Sequence, residues 1–303
     1  MRKNVLIIGG TGFIGYHLAK SCLSLKWNVS SISLNKPKKI RILKGVNYLI
    51  LDISNKKNLK KLDQISFDFV VNLGGYVEHT NKIQVKKYHF LAVKNLYEYF
   101  KNKKIKKFIQ AGSSAEYGKS RVPQKENYIC KPLGIYGKYK FKASRFLLKK
   151  SVKFNFPVTI LRLYQVYGPN QDQNRFLPIL IQACLNREIF YSSSGIQKRD
   201  FLFISDAVKA FLKTLSSKNT NGRILNIGYG QSIILKQVMS YVGKKTKFFS
   251  PVYGKIKIRK DEALNIYPEI KKAKKILNWK PKVSWRSGVL KTIKYFKKAN
   301  AKK

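Results

Sequence analysis

Asn4-Val-Leu-Ile-Ile-Gly9-Gly-Thr-Gly12-Phe-Ile-Gly15 stands at the start of the chain, and its reading decides the fold. The short apolar run before Gly9 has the length and flanks of a buried strand. The amphipathic stretch that follows, residues 13–25, reads as a helix, so the unit is strand, glycine turn, helix. In that context each glycine has a physical task. Gly9 allows the tight turn, Gly12 the close approach of backbone to a pyrophosphate, and Gly15 the contact of helix with sheet. Thr11, Phe13 and Ile14 belong to the same turn, and the helix N-terminus presents unpaired N–H groups to phosphate. A dinucleotide site is expected here.

Working outward, the strand signal repeats at residues 29–34, 46–51, 69–73 and 107–111, separated by Lys-rich helical patterns near 56–62 and 84–100. Alternating strands and helices predict an α/β fold with a doubly wound parallel sheet covered on both faces. A long helical pattern spans 135–154, and 158–163 is a further buried strand. Beyond Gly168-Pro169 the elements become shorter and mixed. Helices are expected near 176–185, 205–215 and 232–242, and strands near 201–204 and 224–227. The tail reads as two short helices, 271–277 and 285–298, about a Pro-containing turn. The expected division is a dinucleotide-binding domain over 1–165 and a smaller, partly interleaved α/β substrate lobe over 166–303.

The chain has 303 residues and 44% hydrophobic content, enough for a large core. No apolar run reaches the roughly 18 residues of a membrane helix, and the first apolar run is too short for a signal-peptide core, so the chain reads as cytosolic. Cys22, Cys130 and Cys184 are odd in number and widely spaced, which predicts free thiols and no zinc site. The charge is anomalous: 63 Lys plus Arg against 14 Asp plus Glu give a formal +49. Such a field attracts nucleic acid, anionic membrane surfaces and diphosphate-bearing substrates alike. The lysines are spread along the whole chain, which favours a compositional drift on solvated faces over a dedicated nucleic-acid segment.

Tyr136 and Lys140 lie one helical turn apart in the 135–154 pattern, so both project from one face. A phenol beside an ammonium is expected to have its pKa lowered and to exchange protons with a sugar hydroxyl or carbonyl. Ser113 follows an apolar strand at the end where open parallel sheets bind ligands. At the end of the second strand, where an acid would bind the ribose hydroxyls of NAD, stand Ser33, Asn35 and Lys36. Missing carboxylate and added positive charge favour NADP over NAD. Asp52, ending the third strand, is placed to accept from the adenine amine or to cap the next helix.

These residues resemble an extended short-chain dehydrogenase/reductase of the nucleotide-sugar epimerase, dehydratase and ketoreductase group. The resemblance rests on the glycine turn, Asn72-Leu-Gly-Gly75, Gly112-Ser-Ser-Ala-Glu-Tyr-Gly118, Tyr136 with Lys140, Arg162-Leu-Tyr-Gln-Val-Tyr-Gly-Pro169, Arg199-Asp-Phe and Leu277-Asn-Trp-Lys-Pro281. It implies a Rossmann-type sheet and a hydride shuttle at a sugar carbon, usually C4. In it Tyr136 is the general acid/base, Lys140 binds the nicotinamide ribose, and Ser113 holds the reacting oxygen, with Ser114 next in line. Ile53, Leu73, Gly74 and Gly75 are assigned to the cofactor; Gln165, Arg175, Arg199 and Arg259 to the nucleotide diphosphate sugar. Gln165 replaces the usual Asn of its motif.

Dehydratases of the group carry an acid within two positions after the catalytic Ser or Thr. Here those positions are Ser114 and Ala115, and Glu116 comes one residue late, so a 4,6-dehydratase is disfavoured. The expectation is an NADPH-dependent 4-keto-6-deoxyhexose reductase, with a UDP-glucose/UDP-galactose type 4-epimerase as the alternative and a non-catalytic RNA-binding protein as the alternative from another class. A homodimer through the helical stretches 84–100 and 135–154 is expected by analogy.

Overall fold

The computed structural model describes residues 2–76, 78, 81–258 and 262–301. Its centre is β1 (Asn4–Ile8), whose residues alternate between two cores. Val5 and Ile7 face one hydrophobic cluster, Leu6 and Ile8 the other, and all four are essentially inaccessible. A strand buried on both faces needs no alternation in hydrophobicity, which is why it reads as a continuous apolar run.

Around it lie β2 (Asn28–Ser33), β3 (Val46–Ile50), β4 (Phe69–Asn72), β5 (Lys107–Ser113) and β6 (Val158–Leu163). The seventh strand, Arg223–Ile227, pairs in parallel with β6. The order is Arg223–Ile227, β6, β5, β4, β1, β2, β3, so the chain reverses direction across the sheet between β1 and β4. At that switch point the strand ends diverge and leave a crevice. The sheet thus borrows a strand from beyond residue 166, where a smaller lobe is expected: Leu225 and Ile227 are fully buried and complete the first core cluster.

The rest of the second half forms small sheets. Gln165–Tyr167 pairs with Phe201–Phe203, and Lys198–Arg199 lies between Ile233–Ile234 and Asn265–Ile266. Asp200 and Asp206 anchor backbone. Asp200 accepts from the N–H groups of Tyr229, Gly230 and Gln231, and Asp206 from those of Lys282 and Val283. Among the described residues no helix is long and apolar enough to cross a membrane.

The 84–100 pattern is broken. A helix at Lys82–Lys86 passes through a π turn, Lys87–Leu91, into Ala92–Phe100. The wider turn swings His89 inward, to 4% exposure.

Lys107 opens β5 and is buried at 2% exposure, with its ammonium donating to Thr220 Oγ1 at 2.9 Å and also to Asn221. Burial lowers its pKa to about 8. Below that pH the native state carries the full cost of a buried charge; as pH rises through about 8 toward the unfolded value, the cost is relieved and stability is gained. The gain is on the order of 3 kcal/mol. Lys107→Met should therefore flatten the rise in chemical-denaturation stability between pH 8 and 10 relative to wild type, and an unchanged slope would refute the assignment.

Candidate active site

The end of β5 is held by a buried ion pair. Ser113 caps the short 3-10 turn Ser114–Glu116: its Oγ accepts from Ala115 N at 3.2 Å, and its own N–H donates to Glu116 Oε1 at 2.9 Å. The other Glu116 oxygen accepts from Arg162 Nε of β6 at 3.0 Å, both side chains being inaccessible. Onto this turn packs the helix Ile135–Phe154. A Cβ at Gly137 would fall 2.4 Å from the Ala115 carbonyl oxygen, so only glycine lets the first helical turn lie this close. The residues on either side of the contact, Tyr136 and Lys140, are thereby fixed against Ser113.

Lys140 Nζ donates to the Ala111 carbonyl at 2.9 Å and lies 5.9 Å from the Tyr136 ring centroid. The expectation that Lys140 depresses the phenol is not met in this structure. Burial raises the Tyr136 pKa; hydrogen bonding to Ser113 lowers it, the Glu116 carboxylate raises it, and the Arg175 guanidinium lowers it, with a net rise. Burial also brings Lys140 down to about 8. Its ammonium is committed to a backbone oxygen, and the charges that reach the phenol come from Glu116 and Arg175 instead.

Beside this pair opens the glycine crevice. Gly9 has φ +78°, and a Cβ on Gly15 would strike the Gly9 carbonyl oxygen at 2.2 Å, so the helix α1 (Phe13–Ser24) starts directly over the end of β1. No side chain caps α1 and its first turn holds no acid. Thr11, Gly12, Phe13 and Ile14 are half-buried along the turn, with Leu73 and Gly74 facing them from the end of β4; Gly75 is exposed and Ile53 buried behind Asp52. An uncapped helix N-terminus above a close glycine turn fits the pyrophosphate of a dinucleotide.

A profile of the family described as NAD dependent epimerase/dehydratase matches residues 5–228. The chain belongs to that family. It is 29% identical over 322 residues to the human dTDP-D-glucose 4,6-dehydratase, covering 97% of this chain and 90% of that protein. To the UDP-N-acetyl-alpha-D-glucosaminuronate decarboxylase of Bacillus cytotoxicus it is 28% identical over 320 residues, covering 98% of each. The crystal structure of the UDP-glucuronic acid 4-epimerase from Bacillus cereus with UDP-glucuronic acid and NAD superposes with a TM-score of 0.89 at 25% identity, covering 98% of this chain and 99% of that one.

The adenosine end of this epimerase/dehydratase-family crevice is more heavily wired than its sequence suggests. Ser33 Oγ accepts from Thr11 N at 3.3 Å, whereas Asn35 and Lys36 are exposed. The cations nearest the glycine turn are others: Arg41, 3% exposed, reaches the carbonyls of Thr11 and Asn170 and, at 3.0 Å, the Asp172 carboxylate, which Lys38 also engages at 3.0 Å. Asp52 does not cap the following helix, Lys56–Leu62, whose cap is Asn55; its Oδ1 accepts from both N and Oγ of Ser54 in a local turn, while Oδ2 meets Lys87 Nζ at 3.2 Å. Burial raises its pKa, and those bonds outweigh it to give a net lowering.

On the substrate side, Arg175 precedes the helix Phe176–Asn186 near enough to act on Tyr136. Gln165 and Ser114 are half-buried at the ends of their strands. Arg199 donates to the carbonyls of Lys198 and Leu264 and pairs with Glu262, so its guanidinium is shared with a carboxylate. Arg259 lies outside the described residues.

Two residues escaped the sequence reading, and the structural role of a third, Glu116, was missed. Arg41 and His89 leave no local pattern; His89 stands edge-on to Tyr136 at 5.0 Å and its Nε2 lies 3.1 Å from Tyr76 N. Glu116 had a signal, the Ser-x-x-Glu spacing of a capping box. Glu116→Ala strips the buried Arg162 of its carboxylate, which should destabilise the fold by about 3–5 kcal/mol. Urea unfolding checks this: a loss of turnover with the unfolding midpoint unchanged would mark Glu116 as a catalytic acid instead.

Proposed function

We propose that the chain is a nucleotide-sugar 4-epimerase, in which the hydride at C4 of the sugar is passed to and from a nicotinamide dinucleotide and the proton of the C4 hydroxyl to and from Tyr136. The observation that carries this reading is the convergence of Ser113 and Tyr136 at the end of β5, beside the uncapped N-terminus of α1. When bound, the dinucleotide supplies the acceptor and donor of the hydride. The glycine turn would hold its pyrophosphate and Lys140 its nicotinamide ribose. Burial holds the Tyr136 phenol protonated, so taking the C4 hydroxyl proton would need the positive charge of the bound oxidised dinucleotide to offset it. Tyr136 Oη then takes that proton and returns it, while Ser113 Oγ hydrogen-bonds the same oxygen and keeps it aligned. Arg175 and Arg199 are the cations available to the diphosphate. Relatives of the chain act on UDP-linked and dTDP-linked sugars, which makes these the substrates to try first. Elimination as in a 4,6-dehydratase is not supported, because Glu116 spends both carboxylate oxygens inside the protein.

A second reading, NADPH-dependent reduction of a 4-keto sugar, draws on two observations. Burial keeps Tyr136 protonated, the form that donates to a ketone oxygen. The end of β2 carries Ser33 in place of an acid, with Arg41 and Lys38 close by, which suits a 2'-phosphate.

Purified protein should interconvert the C4 epimers of UDP-glucose or UDP-glucuronate without added cofactor, and mass spectrometry of the released dinucleotide identifies NAD or NADP. Tyr136→Phe should lower kcat by roughly 10²–10⁴-fold while retaining the dinucleotide. Stoichiometric NADPH consumption with 4-keto-6-deoxy sugars, with no epimer interconversion, would replace the epimerase by the reductase. Absence of both activities in wild type would remove the redox role.

A further inference from the structure

Residues 169–172 lie between the strand Gln165–Tyr167 and the helix Phe176–Asn186, and side chains from distant parts of the chain hold them. His17 Nε2, on α1, lies 2.9 Å from the Pro169 carbonyl oxygen. Tyr295, on the C-terminal helix Trp285–Asn300, donates to Asn170 Oδ1 at 2.7 Å. Arg41, in the connection between β2 and β3, donates through Nη2 to the Asn170 carbonyl and pairs with the Asp172 carboxylate at 3.0 Å. Its Nη1 meanwhile donates to the Thr11 carbonyl at 3.4 Å. One guanidinium thus spans the glycine turn of the dinucleotide crevice and the segment that leads to the substrate side. The rigid fork makes this possible, whereas an ammonium in its place is a point charge that cannot face both partners at once.

Stability alone does not explain the arrangement. Arg41 is 3% exposed and its Nε has no partner, and a buried guanidinium with an unfilled donor costs free energy. What the arrangement fixes is the start of the next helix. The Asp172 carbonyl accepts from Arg175 N at 3.2 Å, and the Arg175 carbonyl from Ile179 N at 2.9 Å. The Arg175 side chain is exposed and has no ion pair or hydrogen bond among the described residues, so its placement follows the backbone that Asp172 anchors. The charged and titratable side chains around the Tyr136 phenol are Glu116, Lys140, His89 and Arg175. Of these only Arg175 is exposed.

We propose that Arg41 and Asp172 are positioning residues: by tying residues 169–172 to the glycine turn, they set Arg175 over the diphosphate of the nucleotide sugar and within reach of Tyr136. The proposal rests on the nucleotide-sugar reading above. Asp172→Asn keeps the shape of the side chain and removes its charge; Arg41→Lys keeps the charge and removes the fork. Titration calorimetry of the full chain with uridine diphosphate and thymidine diphosphate should show about tenfold weaker binding in each variant, with the bound dinucleotide retained. In turnover, Asp172→Asn should raise KM for the nucleotide sugar to a similar extent. It should also move the rise of kcat with pH to higher pH, since the guanidinium that lowers the phenol pKa is no longer held near it. The double variant Asp172→Asn/Arg175→Gln should stay within roughly twofold of Arg175→Gln alone, because residues that act as one unit are not additive. Asp63→Asn, which breaks an exposed pair with Lys103, should stay within roughly twofold of wild type and controls for net charge. Multiplied losses in the double variant would give Asp172 a role apart from Arg175 and overturn the proposal. So would diphosphate affinity and a pH profile unchanged in Asp172→Asn and Arg41→Lys, or loss of the dinucleotide in both with diphosphate affinity intact. Wild type that binds neither diphosphate would instead remove the nucleotide-sugar reading, and the proposal with it.

Discussion

The catalytic geometry depends on one buried ion pair, Glu116 with Arg162. Glu116 belongs to a turn of three residues and Arg162 to β6, a strand paired on both sides, so the pair ties a loop to the main sheet. Because the remaining Glu116 oxygen accepts the Ser113 N–H, the serine's backbone is fixed by the same carboxylate. The helix that carries Tyr136 and Lys140 then rests on Ala115 inside that turn, through a contact only Gly137 permits. A buried pair of this kind need not add net stability, given the cost of desolvating both ions. Its role here is positional: it brings Ser113 of β5 together with Tyr136 and Lys140 of the helix Ile135–Phe154.

Much of the fold was legible because the sheet is buried on both faces. β1, β4 and β6 are short, largely apolar runs bounded by turn residues, the pattern of strands covered on both faces. What was not legible came from tertiary partnering. Residues 224–227 carry the same local signal as any short strand, and only the exposed edge of β6, unknown from sequence, places them in the main sheet. The π turn at Lys87–Leu91 likewise leaves no propensity signature, since it answers to packing of the helix around His89.

At the site, Ser113, Tyr136 and Lys140 were legible by spacing and order, whereas their electrostatics were not. Sequence places Tyr136 and Lys140 one turn apart and suggests direct pairing. It does not say that a backbone carbonyl at Ala111 stands ready to take the ammonium, or that burial raises the phenol's pKa while it lowers the ammonium's. Charge effects depend on which third group is nearest, and here Glu116, Arg175 and Ala111 all arrive from other elements. The same holds for Arg41, whose importance follows from Thr11, Asn170 and Asp172 being folded around it.

The net charge of +49 looks at first like a property of the whole surface, but the acids show how selective it is. Asp261 lies outside the described residues; every other acid of the 14 in the chain has a specific partner. Asp52, Asp63, Asp68, Glu98, Glu116, Asp172, Glu262 and Glu269 pair with cations. Glu78, Glu126, Glu188, Asp200 and Asp206 accept from hydroxyl, amide or backbone groups. Each described acid therefore has a partner that the fold supplies, the exposed Asp63, Glu78 and Glu188 among them, in keeping with a drift toward lysine on positions without structural demand. Such a drift leaves folding and the crevice intact, because surface charge bears on solubility and attraction more than on fold.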